Sequence, residues 1–382
     1  MGLILNDLKN ACELEHVCDY VNNRTTSSMN YISTENMLPN KGGISESTII
    51  PPGTTTEYKI GDILISNIRP YFQKIWCADR CGGCSADVLC IRAKENTDSK
   101  YLYYLLSQQA FFDYVMSGAK GCKMPRGDKK QIMQWPVNIP AIDVQKKVVA
   151  ILSSLDNKIR LNRRINDNLE EQAKALFKSW FVDFEPFKGG KFVDSELGLI
   201  PKGWSTGTIY SYIDVIYGAP YKSALFNDKK QGLPLIRIRD LKTYTPQYYT
   251  KEVLPNTEYV ECGDIIAGMD AEFIPHIWRG EKGVLNQRLC KFVPKYDYVS
   301  KYYIYSLVYP KLAFVQSYKV GTTVSHLGKA DIDRFKVIVP PEDIIMQYSK
   351  IVNSYFAEIV KVSNENQILS SLRDTLLPKL MS

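Results

Sequence analysis

Apolar residues recur every seven positions in two long stretches, and these predict the two longest helices. From about Asp143 to about Phe181, Val148, Leu155, Asn162, Leu169 and Leu176 fall seven apart, as do Leu152, Ile159, Asn166, Ala173 and Trp180. A seam sustained over about five heptads is the pattern of a coiled coil. From about Asp343 to Leu377, ahead of Pro378, the pattern returns in Tyr348, Tyr355, Val362, Leu369 and Leu376, with Ile345, Val352, Ile359 and Asn366 beside it. The second seam lies 200 residues after the first, and even Asn166 and Asn366 coincide. Helices this long with polar faces need an apolar partner stripe, so the two are expected to pack on each other, antiparallel. Polar seam residues such as Asn162 and Asn166 lower stability but fix register. A helix of about 35 to 39 residues spans ~50–60 Å. Such a pair is either a ruler between two bodies or a plain scaffold, and equal length and register in both halves favour the ruler.

Elsewhere the periods are short. Ile63-Leu64-Ile65, Val88-Leu89-Cys90-Ile91, Pro136-Val137-Asn138-Ile139 and Val337-Ile338-Val339 read as strands between turns. Gly61-Asp62-Ile63 returns as Gly263-Asp264-Ile265, 202 residues later, and Lys100-Tyr101 returns as Lys301-Tyr302. Repetition at so long a period means a duplicated domain with its connector. The expected fold class is α+β: two similar α/β domains, residues 1–142 and 187–342, separated by long antiparallel coiled-coil helices at 143–186 and 343–382, in a pseudo-twofold internal repeat. Glu185-Pro186-Phe187-Lys188-Gly189-Gly190 is the clearest linker. The domains differ in detail. Leu233-Pro234-Leu235-Ile236-Arg237-Ile238-Arg239-Asp240 alternates, which predicts a strand with Arg237 and Arg239 on one face, and nothing matching it appears at positions 33–40.

Composition narrows the class without deciding it. The 382 residues carry 45% hydrophobic and 23% charged side chains, values that support folded domains over disorder. A net charge of +7 permits a polyanionic partner. The 25 tyrosines suit stacking and half-wet surfaces as well as strands. No apolar run reaches the length of a membrane span and no charged-then-apolar leader opens the chain, so a cytoplasmic protein without membrane contact is expected. Nine cysteines without framework spacing fit reduced thiols.

Catalytic signatures are missing. There is no Gly-x-x-x-x-Gly-Lys-Ser/Thr phosphate loop and no Gly-rich dinucleotide fingerprint. Ile50 and Val339 precede the Pro-Pro pairs, so neither is the Asp/Asn-Pro-Pro-aromatic motif of amino-methyltransferases. The three histidines form no His-x-x-x-His pair. Cys77, Cys81, Cys84 and Cys90 could complete a zinc tetrahedron, but Cys90 lies in an apolar strand and the second half has no paired cysteines; buried or turn thiols are the preferred reading and no metal is expected. Basic loops are better candidates for function. The segment from Ser117 to Lys130 places Lys120, Lys123, Arg126 and Lys129 among glycines, and its counterpart places Lys319, Thr322, Thr323, His326 and Lys329 likewise. Glycines let backbone N–H groups approach phosphates, lysines neutralise them, and Arg or His reaches base edges. Either loop alone would read equally as a solvated surface; recurrence in both halves favours DNA binding. Asn67, Arg69 and Tyr71, with Arg237 and Arg239, are secondary candidates for which structural salt bridges are the alternative.

The chain resembles the specificity subunit of Type I restriction–modification enzymes over essentially its whole length. The resemblance rests on Glu170 to Pro186 at the end of the first long helix, on Leu199-Ile200-Pro201-Lys202-Gly203-Trp204 opening the second domain, and on Leu372 to Met381. It implies that each domain reads one half of a split, asymmetric double-stranded DNA target and that the helix pair sets the gap. It also implies two modification subunits docked on the helices, with Phe177, Trp180, Phe181, Leu377 and Leu380 as candidate docking residues, and separate restriction subunits. S-adenosylmethionine, ATP and Mg would belong to those partners, this chain having no cofactor and catalysing neither reaction. Because the chain stops at Met381-Ser382, a shortened C-terminal contact with the first domain is expected. The rival reading is a two-headed DNA-binding protein outside restriction.

Overall fold

The computed structural model describes residues 12–26, 30–45, 53–121, 123–319 and 326–381. The chain divides into two compact units, one of residues 1–157 with 370–382 and the other of residues 158–369.

In the first unit, four antiparallel strands lie in the order Cys18–Tyr20, Val88–Ala93, Ile63–Ser66, Ile75–Cys77. In the second, the order is Ile213–Tyr217, Leu289–Pro294, Ile265–Gly268, Pro275–Ile277, again antiparallel. Numbered along the chain, both sheets run first, fourth, second, third, so the repeat extends to topology. Gly61 and Gly263 open the second strand of each at φ +90° and +94°, a left-handed conformation that costs glycine nothing. In each copy the following aspartate closes the turn: Asp62 accepts from the Lys59 N–H at 2.7 Å and Asp264 from the Glu261 N–H at 2.9 Å.

The helices that cover the sheets differ. In the first unit α1 (Ser99–Leu106) and α2 (Gln109–Ser117) precede the short α3 (Lys129–Met133) and the start of the long α4 (Ile142–Phe181), whose residues from 158 on belong to the second unit. In the second unit one helix, α5 (Lys301–Lys319), replaces the first two and runs through Pro310, followed by α6 (Lys329–Asp333) and the long α7 (Glu342–Met381), whose residues from 370 on belong to the first unit. The small second sheets also diverge: three strands in the first unit, four with one parallel pair in the second. Among the described residues, no helix is long and apolar enough to cross a membrane.

The heptad seams are core. Val148, Leu152, Ile159, Tyr348, Val352, Ile359 and Val362 are buried, and Leu155, Leu169, Leu176, Tyr355, Leu369 and Leu376 are half-buried. In the first unit, Val148 and Leu152 of α4 share a cluster with Leu377 and Met381 of α7. There the Asp156 carboxylate takes the Arg373 guanidinium at 2.9 Å and the Tyr104 hydroxyl at 2.7 Å. In the second unit, Asn162 donates to Glu365 at 2.8 Å and Asn366 at 3.0 Å, and Asn166 donates to Ser363 at 3.0 Å. Within each unit, residues later in α4 meet residues earlier in α7, the antiparallel arrangement that the seams predict. Buried amides paired in this way admit one register, because a shift would strand them without partners.

Two expectations need correction. α7 does not stop at Leu377: it continues through Pro378 to Met381. The missing proline N–H frees only the Asp374 carbonyl, within the last turn, while Leu377 and Met381 hold that turn in the core of the first unit. Nor is Leu233–Asp240 one strand. The strand ends at Ile236 and Ile238–Asp240 is a 3-10 turn, because the Asp240 carboxylate accepts the Arg237 N–H at 2.9 Å and folds the backbone over.

Candidate nucleic-acid interface

In each unit the second sheet strand runs out into a loop that meets two other loops at one junction. In the first, the Asn67 N–H donates to the Asp87 carbonyl at 2.9 Å, Ile68 bridges Arg126, and the Gly127 N–H donates to the Asn67 carbonyl at 3.3 Å. In the second, the Met269 N–H donates to the Arg288 carbonyl at 2.9 Å, Asp270 bridges His326, and the Leu327 N–H donates to the Met269 carbonyl at 2.7 Å. These are the same bonds made twice. Even the residue after each bridge shares a left-handed conformation, φ +50° at Arg69 and +60° at Ala271, which costs a non-glycine residue on the order of 1–2 kcal/mol. Gly127 is required at the first junction, since a Cβ there would lie 2.8 Å from Val115 and 3.0 Å from Asn67.

Charged side chains gather on this frame. Arg126 pairs with Asp87 at 3.0 Å. In the second unit the Asp270 carboxylate takes Arg288 on one oxygen at 3.1 Å and the His326 Nδ1 on the other at 2.7 Å. Pairs this exposed hold their geometry weakly, at ~0–1 kcal/mol each, so a polyanion can compete for the cations.

Two further lysines, Lys120 and Lys319, pair with acids at the starts of short helices. Lys120 reaches the Asp128 carboxylate at 2.8 Å, and Asp128 caps α3 by accepting from the N–H groups of Lys130 and Gln131. The Lys120 ammonium and these N–H groups hold the Asp128 carboxyl below its usual range. Lys319 reaches Asp331 at 2.6 Å in the first turn of α6, where Asp331 also accepts the Gly328 N–H at 2.8 Å. In each unit one lysine thus pairs with the acid at the start of a short helix. Lys123, Lys129 and Lys329 are exposed beside these pairs. Tyr71 stands 49% exposed on the turn that Arg69 opens, while the Arg69 Nε and Asn67 Oδ1 are buried without a hydrogen-bond partner among the described residues. Thr322 and Thr323 lie outside the described residues.

Arg237 and Arg239 do not join the junction through a shared strand face. The Arg237 guanidinium stacks 5.2 Å from the Tyr248 ring and 5.9 Å from the Phe226 ring, while Arg239 is exposed on the 3-10 turn. Two of the candidate docking residues also need correction. Phe181 and Leu377 are 6% and 4% exposed inside unit cores, and Phe177, Trp180 and Leu380 pack half-buried against those cores. Phe181 is ringed by Tyr303, Tyr348 and Trp204, so its aromatic surface is already occupied. Among the described residues no three His, Cys, Asp or Glu side chains converge on a metal-sized space. Cys84 and Cys90 are buried, Cys81 is exposed, and burial pushes the Cys77 thiol up to about 11.

Asp87, Asp270 and Arg288 escaped the sequence reading. The signal was present: a register of 201 residues, not 200, carries Asp87 onto Arg288, as the matched strand pairs Ser66 with Val88 and Gly268 with Leu289 demonstrate.

The sequence model of the Type I restriction modification DNA specificity domain matches this chain twice, over residues 9–171 and 201–370. The chain belongs to that family. It is a DNA sequence-specificity subunit, a non-catalytic role, and each match takes in one sheet with part of its following long helix. The MjaIX specificity subunit of Methanocaldococcus jannaschii is 27% identical over 75% of this chain and 69% of its own length. The HindI specificity subunit of Haemophilus influenzae is 24% identical over 92% of this chain and 93% of its own. Among solved structures, the S subunit of a Type I restriction-modification system from M. genitalium is 16% identical, with a TM-score of 0.48 over 100% of this chain and 98% of that one.

Proposed function

We propose that this specificity subunit reads an asymmetric, bipartite double-stranded DNA target, one half with each unit, and so directs methylation and restriction by partner subunits. The observation that carries the reading is the loop junction built twice on identical sheet topology with different charged side chains. A common frame suits a common ligand class, and unlike side chains suit unlike base sequences. α4 and α7 each hold 40 residues, ~60 Å of helix. That length is sufficient to set a fixed gap between half-sites about one DNA turn, ~34 Å, apart.

Two modification subunits would dock on the long helices, where Leu161, Ile368 and Leu372 are exposed instead of the buried Phe181 and Leu377. Those subunits would bind S-adenosylmethionine, and separate restriction subunits would bind ATP and Mg. The complex would act in the cytoplasm of a prokaryotic cell.

The test is co-expression of this chain with its modification subunits, followed by long-read detection of methylated bases. The expected motif has two unlike halves with a constant gap and disappears when this chain is omitted. A contiguous motif, or the same motif without this chain, would refute the reading.

A further inference from the structure

Three loop positions are equivalent by backbone register in the two units, yet their residues differ. The first unit places Ile68, Asp87 and Arg126 there; the second places Asp270, Arg288 and His326. The bridges Ile68 to Arg126 and Asp270 to His326 fix two of the positions. The hydrogen bonds from Asn67 to Asp87 and from Met269 to Arg288 fix the third. The carboxylate has therefore changed loops between the copies: it sits on the hinge before the fourth strand in one and on the loop after the second strand in the other.

Resting on the reading above, we propose that these three positions determine base identity: Asp87 and Arg126 for one half-site, and Asp270, Arg288 and His326 for the other. Three features support the assignment. The backbone of the junction is held by bonds common to both copies, so side chains can change there without disturbing the frame. The charged groups are reachable, with side-chain exposures of 56% for Arg126, 38% for Asp87, 66% for Arg288 and 53% for His326. And the chemistry matches base edges in the major groove, where a guanidinium reads guanine O6 and N7 and a carboxylate accepts from cytosine N4. In the free protein each guanidinium is aimed by its carboxylate. On DNA the pair would open and both partners would take base-edge contacts in place of each other.

The experiment uses this chain assembled with its modification subunits and a set of duplexes, each with one base pair of the target changed. The unaltered complex should discriminate each recognised pair by ~10- to 100-fold. Asp87→Asn with Arg126→Gln should reduce that to under about threefold at one or two pairs of a single half-site and leave the other half-site as it was. Asp270→Asn with Arg288→Gln should do the same in the opposite half. Arg126→Lys keeps the charge but loses the planar fork, so it should relax the same pair while overall affinity holds. Retained discrimination at the remaining pairs of the altered half-site certifies that the substituted unit is folded. An unchanged profile, or equal loss at every pair of both halves with Arg126→Lys fully selective, would overturn the assignment. A flat profile from the unaltered complex would instead overturn the specificity reading itself.

Discussion

Replacing Arg373 with alanine should loosen the first unit selectively. The Arg373 guanidinium lies 2.9 Å from Asp156 on α4 and also holds its neighbour Asp374 at 3.0 Å, with only 19% of its side chain exposed. Asp156, 28% exposed, takes the Tyr104 hydroxyl on its other oxygen. Breaking a fully buried pair of this kind costs about 3–5 kcal/mol because one charge is left stranded. Here both side chains keep some water, and Tyr104 still serves Asp156, so ~2 kcal/mol is the reasonable figure. For a unit of about 170 residues this lowers the melting temperature by ~4–8 °C. Calorimetry should show the loss in one of two transitions only. A double-mutant cycle with Asp156→Asn should return a coupling of ~1–2 kcal/mol. A coupling under ~0.3 kcal/mol, or an equal fall in both transitions, would mean that this pair does not fasten α7 to the first unit.

Two further outcomes follow from buried polar groups of the second unit. Asn166 is 1% exposed and its Oδ1 has no partner among the described residues, while Ser363 keeps its bond to the Ile359 carbonyl at 2.6 Å. The isosteric Asn166→Leu should therefore stabilise the unit by ~1 kcal/mol, read as a higher second calorimetric transition; a lower one would show that the amide contributes more than its desolvation costs. Asp240 is 1% exposed, and burial pushes its carboxyl up to about 6 against the opposing N–H groups of Arg237 and Gln247. A carboxyl raised in the folded state contributes stability that is complete below about pH 4 and lost as pH rises through about 6. Wild-type protein should give up as much as ~2–3 kcal/mol over that window, and Asp240→Asn should flatten the curve; identical pH profiles in urea denaturation would count against a raised Asp240.

The helices were legible because a seven-residue period needs no tertiary information: Leu152, Ile159 and Ile359 had to be inside wherever their partner lay. The sheets were legible where apolar runs were unbroken, as at Ile63–Ser66. Arg237 and Arg239 were misplaced because alternation cannot reveal that one carboxylate, Asp240, captures a backbone N–H and ends the strand. The reading positions were only half visible. Scanning for cations finds Arg126 and His326, but not the acids that aim them, and a one-residue difference in loop length hides the match of Asp87 to Arg288. Phe181 was misjudged as a docking residue for a related reason: an aromatic cluster at a helix end looks the same in sequence whether a partner or the chain's own core covers it, and Tyr303, Tyr348 and Trp204 cover Phe181 here.

The most direct measurement of two unlike readers on one repeated frame is a methylome from a domain exchange. Residues 187–342 are replaced by the matching domain of a relative with a known motif, and modified bases are mapped by long-read sequencing. One half of the motif should change to the donor's while the other half and the gap stay as they were. A change in both halves, or in neither, would contradict the account.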